Sequence, residues 1–311
     1  GLIMIPNMVN KGYSRSFSGA LISTAGTVGV IIPPSICMVI YAVAAGVSVT
    51  GMFMAGIGPG ILIGVALSIY TVIYSFKHGY EGEKKRYTMK QGIRTIVDAV
   101  PALLVPVIVL GGIYGGVFTP TEAAAVAAVY GIIVSIFVYK EVKFSELPAI
   151  GFNSALLCAA VLVIIGVSAG FGRILTIANV PVTIANAILA ITQNEILILF
   201  FINVLLLIVG TFMETNASII ILVPILLPVV TALGVNPIHF GIIMVLNLAI
   251  GFVTPPLGAN LFMASQIGNI KFDDLARSIL PWILVMLAVL MLVTYFPSIS
   301  LTIPKMMGIP V

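Results

Sequence analysis

Charge is scarce in this sequence. Only 8% of the residues are Asp, Glu, Lys or Arg, whereas 60% are hydrophobic, and apolar runs of about 18 residues or more recur along the whole chain. This composition excludes an ordinary soluble domain and predicts a polytopic helical membrane protein. The net charge of +4 does not indicate nucleic acid, because the basic residues lie in short loops between apolar segments, where the positive-inside rule accounts for them.

Residues for redox, metal or catalytic chemistry are equally rare. Cys37 and Cys158 lie in apolar segments, and His78 and His239 lie at predicted helix ends far apart in the sequence, so neither a disulfide nor a metal cluster is predicted. The sequence has no nucleophile elbow, no phosphate-binding loop and no paired intramembrane aspartates. We therefore predict that the protein is neither an enzyme nor an ATP-driven pump.

A repeat is the strongest positive signal. Residues 6–66 align without a gap on residues 228–288 at a constant offset of 222, and eight Gly or Pro positions coincide among 61, against roughly 0.8 expected by chance. Each copy carries Gly-x-x-x-Pro-Pro inside an apolar run that is long enough to cross a bilayer. Each copy is therefore predicted to be a broken helix, at 16–46 and at 239–267.

Apolar runs predict the remaining elements. They are a short arm at 1–10, helices at 53–76, 96–114, 121–139, 150–171 and 278–297, and a Pro-containing stretch at 173–194. Two arms, 195–212 and 217–231, flank the polar patch Glu214-Thr215-Asn216. This pattern predicts a re-entrant hairpin, because polar backbone at membrane depth survives only inside protein or beside water. The alternative is an ordinary pair of spanning helices with a polar turn.

Lys and Arg orient these segments. If the loop 77–94 is cytoplasmic, alternation leaves only Arg173 and Lys305 of the 14 basic residues outside. The first broken helix then runs outward and the second inward, so the repeats are inverted. The predicted fold class is all-α: a polytopic helical membrane protein with inverted repeats, two broken helices and re-entrant hairpins, the arrangement of many secondary transporters.

The repeat also predicts the domain organisation. The counterpart of the hairpin at 195 would begin at −27, so the chain is expected to be an N-terminally truncated fragment. Residues 1–52, with the end of the first hairpin and the first broken helix, pair in the repeat with residues 172–270. Residues 53–171 are expected to be mainly connecting transmembrane helices, and 271–311 the last transmembrane helix and tail. The family resemblance given below implies that the two paired parts form a transport domain and that 53–171 are mainly scaffold.

The two breaks offer ligands for a cation. Pro-Pro leaves carbonyls of the preceding turn without amide partners, and carbonyl oxygens suit a small hard cation. The candidate cradles are Gly29, Ile32, Pro33 and Pro34 in the first copy, and Gly251, Thr254, Pro255 and Pro256 in the second. A single Pro-Pro is more often a simple kink, but two in inverted copies favour a function.

Polar residues around the breaks are candidate substrate contacts. They are Ser23, Thr24, Thr27 and Ser35 in the first copy, Asn247, Asn260, Ser265 and Gln266 in the second, and Glu214 and Asn216 in the hairpin. Taken singly, Ser and Thr in membrane helices usually bond their own backbone. Glu214 is either functional or simply solvated at the interface, whereas Glu122 with Thr119 forms a predicted helix cap.

Five stretches carry a resemblance to a known family. They are residues 3–13, 26–35, 111–125, 212–228 and 251–262, and they occur in the family's order. On these stretches the chain resembles the large membrane subunit of TRAP (tripartite ATP-independent periplasmic) transporters. The resemblance implies a sodium-coupled, elevator-type importer of organic acid anions, typically C4-dicarboxylates or sialic acid, in the bacterial inner membrane. The implied partners are a small four-helix membrane subunit and a periplasmic substrate-binding protein.

The resemblance also implies two sodium sites. Matching positions place Gly29, Ile32 and Pro34 in one site, and Gly210, Gly251 and Thr254 in the other. No arginine is predicted at midplane depth, so half-helix amides and hydroxyls are expected to hold an anionic substrate. Two other functions stay open: a stand-alone sodium-coupled dicarboxylate or ion symporter that needs no binding protein, and a channel or scaffold subunit.

Overall fold

A computed structural model describes residues 1–80, 88–179, 183 and 194–309 of the chain. Within these ranges the secondary structure is helical, with no strand, and the predicted all-α class is confirmed. The helices are α1 Met4–Asn10, α2 Arg15–Ile31, α3 Ile36–Ala45, α4 Val49–Lys77, α5 Met89–Tyr114, α6 Pro120–Ile133, α7 Leu147–Ile177, α8 Glu195–Phe212, α9 Thr215–Ala232, α10 Pro237–Gly251, α11 Ala259–Gly268, α12 Phe272–Tyr295 and α13 Ser298–Met306. Most of the predicted stretch 173–194 lies outside the described residues.

The described helices have the lengths and surfaces of membrane spans. Six of them are long and apolar enough to cross a bilayer, and the bent pair α2 and α3 makes a seventh. In α5, the span Gln91–Tyr114 is only 11% buried, and Pro120–Val138 is only 17% buried. Apolar surface exposed on this scale is expected where lipid is the solvent. The predicted polytopic membrane protein is confirmed.

The chain divides into two compact units. One consists of Gly1–Glu83 with Ser168–Val311, and the other of Lys84–Val167. The first unit holds both breaks, the hairpin and also α4, a helix that the predicted scaffold range 53–171 would include. A transport domain and a scaffold are distinguished by which part moves during transport, so these two roles stay predictions.

The second unit contains the predicted helix cap. The Thr119 amide donates to Oε2 of Glu122 at 2.8 Å, and the Glu122 amide donates to Oγ1 of Thr119 at 3.3 Å. This reciprocal pair satisfies two amides at the start of α6. The structural interpretation of Glu122 is confirmed.

Both predicted breaks are present. The helices α2 and α3 bend by 41° across residues 32–35, and residues 252–258 separate α10 from α11. The Pro33-Pro34 and Pro255-Pro256 peptide bonds are both cis. The broken helices thus cover 15–45 and 237–268, within two residues of the predicted bounds.

The helix boundaries repeat with the sequence. The helices α2, α3 and α4 begin at 15, 36 and 49, and α10, α11 and α12 begin at 237, 259 and 272, so the offsets are 222, 223 and 223. Gly12 after α1 and Gly234 after α9 both take a left-handed conformation, with φ of +90° and +85°. Because these glycines are equivalent positions, α1 corresponds to the end of α9.

The two copies pack in a reciprocal way that supports their inversion. A Cβ added to Gly19, near the start of the first copy, would lie 2.9 Å from Leu275, just after the second broken helix. A Cβ added to the equivalent Gly241 would lie 2.7 Å from Met52, just after the first broken helix. The entry end of each copy therefore lies beside the exit end of the other, which is the exchange that a two-fold relation produces.

The predicted hairpin is formed by α8 and α9. Its first arm has the predicted bounds, and its second arm begins two residues earlier than predicted, at Thr215. Each arm has 18 residues and is apolar enough to cross a membrane. Re-entry therefore stays a prediction that rests on the polar tip.

Candidate functional site

The first break leaves backbone carbonyls available. The Ile32 amide still donates to the carbonyl of Val28 at 2.9 Å, so α-helical bonding continues to the edge of the break. Pro33 and Pro34 have no amide hydrogen, and the carbonyls of Gly29 and Val30 one turn earlier therefore receive no i+4 bond. This break fulfils the expectation that Pro-Pro frees carbonyl oxygens.

The second break differs from that expectation. The Thr254 amide donates to the Gly251 carbonyl at 3.1 Å, and the Asn260 amide reaches across the break to the Phe252 carbonyl at 3.0 Å. The prediction of unpartnered carbonyls is therefore wrong for these two groups. Each carbonyl oxygen keeps a second lone pair. The Thr254 hydroxyl donates to the Ile250 carbonyl at 2.8 Å, so its oxygen can still accept.

The hairpin packs directly on the second break. A Cβ added to Gly251 would lie 2.7 Å from the Cα of Gly210, and one added to Gly210 would lie 3.2 Å from the Cα of Leu248. Only glycine permits backbones to approach so closely. The residues implicated in the second sodium site are thus together: Gly210 touches Gly251, and Gly251 bonds Thr254.

The residues implicated in the first sodium site are exposed on the surface of the described structure. Beyond its chain neighbours and the adjacent backbone of its own helix, no described atom lies within 4 Å of a Cβ built on Gly29, and Ile32 and Pro34 are exposed. Among the described residues, the second predicted site is thus the one in which a hairpin residue contacts a break.

Three predicted substrate contacts form hydrogen bonds with backbone groups of the first broken helix itself. The Thr24 hydroxyl donates to the Ala20 carbonyl at 2.7 Å, and the Thr27 hydroxyl donates to the Thr24 carbonyl at 2.6 Å. Ser35 caps α3 by accepting from the Met38 amide at 3.4 Å. All three side chains are buried. Their contacts match the structural interpretation that the sequence also allows.

Ser23 and Asn260 join the two broken helices. The Ser23 hydroxyl donates to the Asn260 carbonyl at 3.3 Å, and the Asn260 side-chain amide donates to the Ser23 carbonyl at 3.5 Å. Ser23 is buried, whereas Asn260 is half-buried beside the second break. Asn260 therefore stays partly accessible beside the second break, and its role as a substrate contact stays a prediction.

The hairpin tip lies between the two copies. Glu214 begins α9 by accepting from the Ala217 amide at 2.9 Å, and the Asn216 side-chain amide donates to its Oε1 at 2.8 Å. Sγ of Cys37, on α3, donates to Oδ1 of Asn216 at 3.4 Å. Since Gly210 touches the second break and Asn216 touches the first broken helix, this tip connects both copies.

A cavity of about 570 Å³ adjoins the tip and the second break. Its described lining comes from the end of α8, from both sides of the break and from the start of α12. The residues are Gly210, Thr211, Phe212, Met213, Glu214, Phe252, Pro256, Leu257, Ala259, Phe262 and Phe272. The cavity is largely apolar, with the Glu214 carboxylate in its wall.

A chain of buried hydrogen-bonded polar side chains links the helices that carry the hairpin and the second break. The Asn247 side-chain amide donates to Oδ1 of Asn203 at 2.7 Å, and that of Asn203 donates to Oγ1 of Thr294 at 3.1 Å. Nε2 of His239 lies 3.2 Å from the Thr294 carbonyl and donates to it. This chain ties α8, α10 and α12 together. Asn247 is among the contacts predicted from the sequence and Asn203 is not, although a lone Asn in an apolar arm is a usable signal.

Replacing Asn203 with leucine tests this chain. The substitution removes the side-chain acceptor of the Asn247 amide and the donor to Thr294 together, while the backbone carbonyl of residue 203 still accepts from the Asn247 amide at 3.0 Å. We expect a loss of about 1–3 kcal/mol in the free energy of unfolding, because buried polar groups lose their partners. The thermal midpoint in detergent measures this loss. Asn153→Leu, on an exposed part of α7, is the matched control, and equal midpoints for the two variants would contradict the prediction.

Comparison with known proteins identifies relatives across almost the whole chain. Residues 1–299 match the sequence profile of the family described as "Tripartite ATP-independent periplasmic transporter, DctM component". The isethionate TRAP transporter permease protein DctMQ of Oleidesulfovibrio alaskensis is 51% identical over 301 residues, which are 97% of this chain and 47% of the relative. The chain thus spans about half the length of that protein.

Two further relatives are large permease proteins by name. The C4-dicarboxylate TRAP transporter large permease protein DctM of Pseudomonas aeruginosa is 41% identical over 99% of this chain and 72% of its own length. The sialic acid TRAP transporter large permease protein SiaM of Vibrio cholerae is 37% identical over 98% of this chain and 71% of its own length.

Proposed function

Because the chain belongs to the DctM component family of tripartite ATP-independent periplasmic transporters, we propose that it forms the membrane pathway through which an organic acid anion enters the cell together with sodium ions. The chain is a multi-pass protein of the bacterial inner membrane and is not an enzyme. Sodium is a co-transported substrate in this proposal.

The contact between the hairpin and the second break carries the proposal. Gly210, Gly251 and Thr254 bring backbone carbonyls and one hydroxyl together at a point where glycine alone allows the approach. Oxygen ligands of this kind suit a hard cation. Because the proposed site takes ligands from both the hairpin and the broken helix, binding of the cation would depend on the position of the hairpin tip.

The names of the three relatives described above support an anionic substrate. They mention isethionate, C4-dicarboxylates and sialic acid, and each of these is a negatively charged organic acid at neutral pH. Asn260 and the half-helix amides at the second break are the groups that would meet such an anion, since helix N-termini favour negative charge.

The proposal includes partners and a movement. A periplasmic substrate-binding protein would deliver the anion, and a small membrane subunit would complete the membrane part. The inverted packing of the two copies supports an alternating-access cycle, which we propose to be of the elevator type.

Reconstitution of the complete transporter in proteoliposomes tests this function. We expect saturable uptake of the organic acid that follows an inward sodium gradient, stops when choline replaces sodium, and needs the binding protein. Equal uptake without sodium would contradict the proposal. Efficient uptake without a binding protein would favour a stand-alone symporter, and flux that does not saturate would favour a channel.

A further inference from the structure

We infer that Glu214 recruits the co-transported cation through the cavity beside the hairpin tip, and that this carboxylate sets the affinity for sodium rather than contacting the organic acid. The inference rests on the proposed sodium coupling. It adds to that proposal an entry route and a residue that acts on the cation before it reaches its ligands.

The cavity connects Glu214 with the second break. It is lined by Gly210 and Glu214 at its hairpin side and by Phe252 and Pro256 at the break, and Glu214 is the one charged residue among the described residues of its wall. Its volume of about 570 Å³ is many times the roughly 10–15 Å³ that one water molecule needs on the same measure. The cavity is therefore large enough to hold a hydrated cation between the carboxylate and the break.

The contacts of Glu214 leave its charge in place. The carboxylate accepts from the Ala217 amide at 2.9 Å and from the Asn216 side-chain amide at 2.8 Å, and both donors are neutral. Neutral donors and the helix N-terminus stabilise a carboxylate but do not neutralise it. The carboxylate is exposed beside the cavity, so its negative charge is accessible to a cation that enters there.

The rest of the wall favours the same ligand. Phe212, Phe252 and Phe262 line the cavity, and the faces of aromatic rings attract cations. An organic anion is repelled by Glu214 and gains no comparable attraction from phenyl rings. In this inference Glu214 acts on sodium, whereas its predicted role as a substrate contact stays a prediction.

Two substitutions separate the charge of Glu214 from its capping bond. Asp and Ser both cap helix N-termini well, but only Glu214→Asp keeps the charge. Glu214 follows Gly210 by four residues, so their Cα atoms are at most about 14 Å apart. At this distance a unit charge changes cation affinity about 2-fold to 8-fold for dielectric constants of about 80 to 20.

Sodium-dependent uptake by the complete transporter in proteoliposomes is the measurement. We expect Glu214→Ser to raise the half-saturating sodium concentration about 2-fold to 8-fold at low ionic strength, with the maximal rate and the half-saturating organic acid concentration unchanged. Glu214→Asp should behave like the wild type. Added choline chloride at about 0.5 M should shrink the difference, because salt screens the attraction.

Glu122→Ser is the matched control, since it removes a capping glutamate from the start of α6 and should leave sodium affinity unchanged. Glu214→Gln provides the same comparison if the Ser variant does not accumulate. Equal half-saturating sodium in the Asp variant and the neutral variants, or a loss in maximal rate alone, overturns the role of Glu214. Wild-type uptake that ignores sodium overturns the proposed function as well, so the two failures are distinguishable.

Discussion

Replacing Gly251 with alanine is expected to abolish sodium-driven uptake and to lower the free energy of unfolding by about 1–3 kcal/mol or more. The new Cβ would lie 2.7 Å from the Cα of Gly210. The contact joins two backbones, so no flexible side chain can move away, and α8 must shift from α10. That shift also separates the oxygens of the proposed sodium site. Uptake in proteoliposomes and the thermal midpoint in detergent measure the two effects.

Gly64→Ala is the control for this substitution. Gly64 lies inside α4, and no described atom lies within 4 Å of its Cβ position, so alanine should be tolerated or stabilise the helix by up to about 1 kcal/mol. A Gly251→Ala variant with wild-type midpoint and uptake would contradict the packing of α8 on α10. A normal midpoint with lost uptake would limit the role of Gly251 to the transport cycle.

The architecture could be predicted because Gly and Pro act on the backbone itself. Pro33-Pro34 and Pro255-Pro256 each remove two successive amide donors from a helix, and their equivalent places in the repeat favour two breaks over two simple kinks. Apolar run lengths then predict the spans, and α8 has the predicted bounds at 195–212. Both signals act within one stretch of chain, and the helices of the structure begin and end close to where these signals predict.

Contacts between side chains on different helices could not be predicted in the same way. Cys37 meets Asn216 across 179 positions of sequence, and Asn203 meets Thr294 across 91. Such pairs depend on the rotation of each helix about its axis, which an almost uniformly apolar helix does not encode in its sequence pattern. The sequence therefore predicts the polar tip of the hairpin but not what the tip contacts.

The second break shows a different limit. Proline removes the i+4 donors of Gly251 and Phe252, and this much follows from chemistry. The Thr254 and Asn260 amides then replace them at 3.1 and 3.0 Å, because the chain turns tightly and α11 begins beside the end of α10. These replacement donors depend on how the chain folds around the break, so the sequence does not predict them. The Thr254 hydroxyl is then the side-chain oxygen that the proposed sodium site adds to the backbone carbonyls.

Replacing Thr254 with valine is expected to raise the half-saturating sodium concentration at least about tenfold, which corresponds to about 1.4 kcal/mol of lost binding free energy. Valine keeps the branched shape and removes the oxygen that the proposed site offers to the cation. Its structural cost should be small, because the Ile250 carbonyl loses the hydroxyl bond at 2.8 Å but keeps the Val253 amide at 3.1 Å. Sodium-dependent uptake in proteoliposomes is the measurement.

Two variants separate the ligand from the hydrogen bond in this prediction. Thr254→Ser keeps the hydroxyl and should retain the sodium affinity of the wild type. Thr71→Val removes a hydroxyl that donates to the Leu67 carbonyl at 2.7 Å in α4, which is the same kind of bond far from the break in sequence, and it should leave sodium affinity unchanged. If the Thr254→Val and Thr71→Val variants share the sodium dependence of the wild type, the Thr254 oxygen is not a sodium ligand. The proposed site would then consist of backbone carbonyls alone.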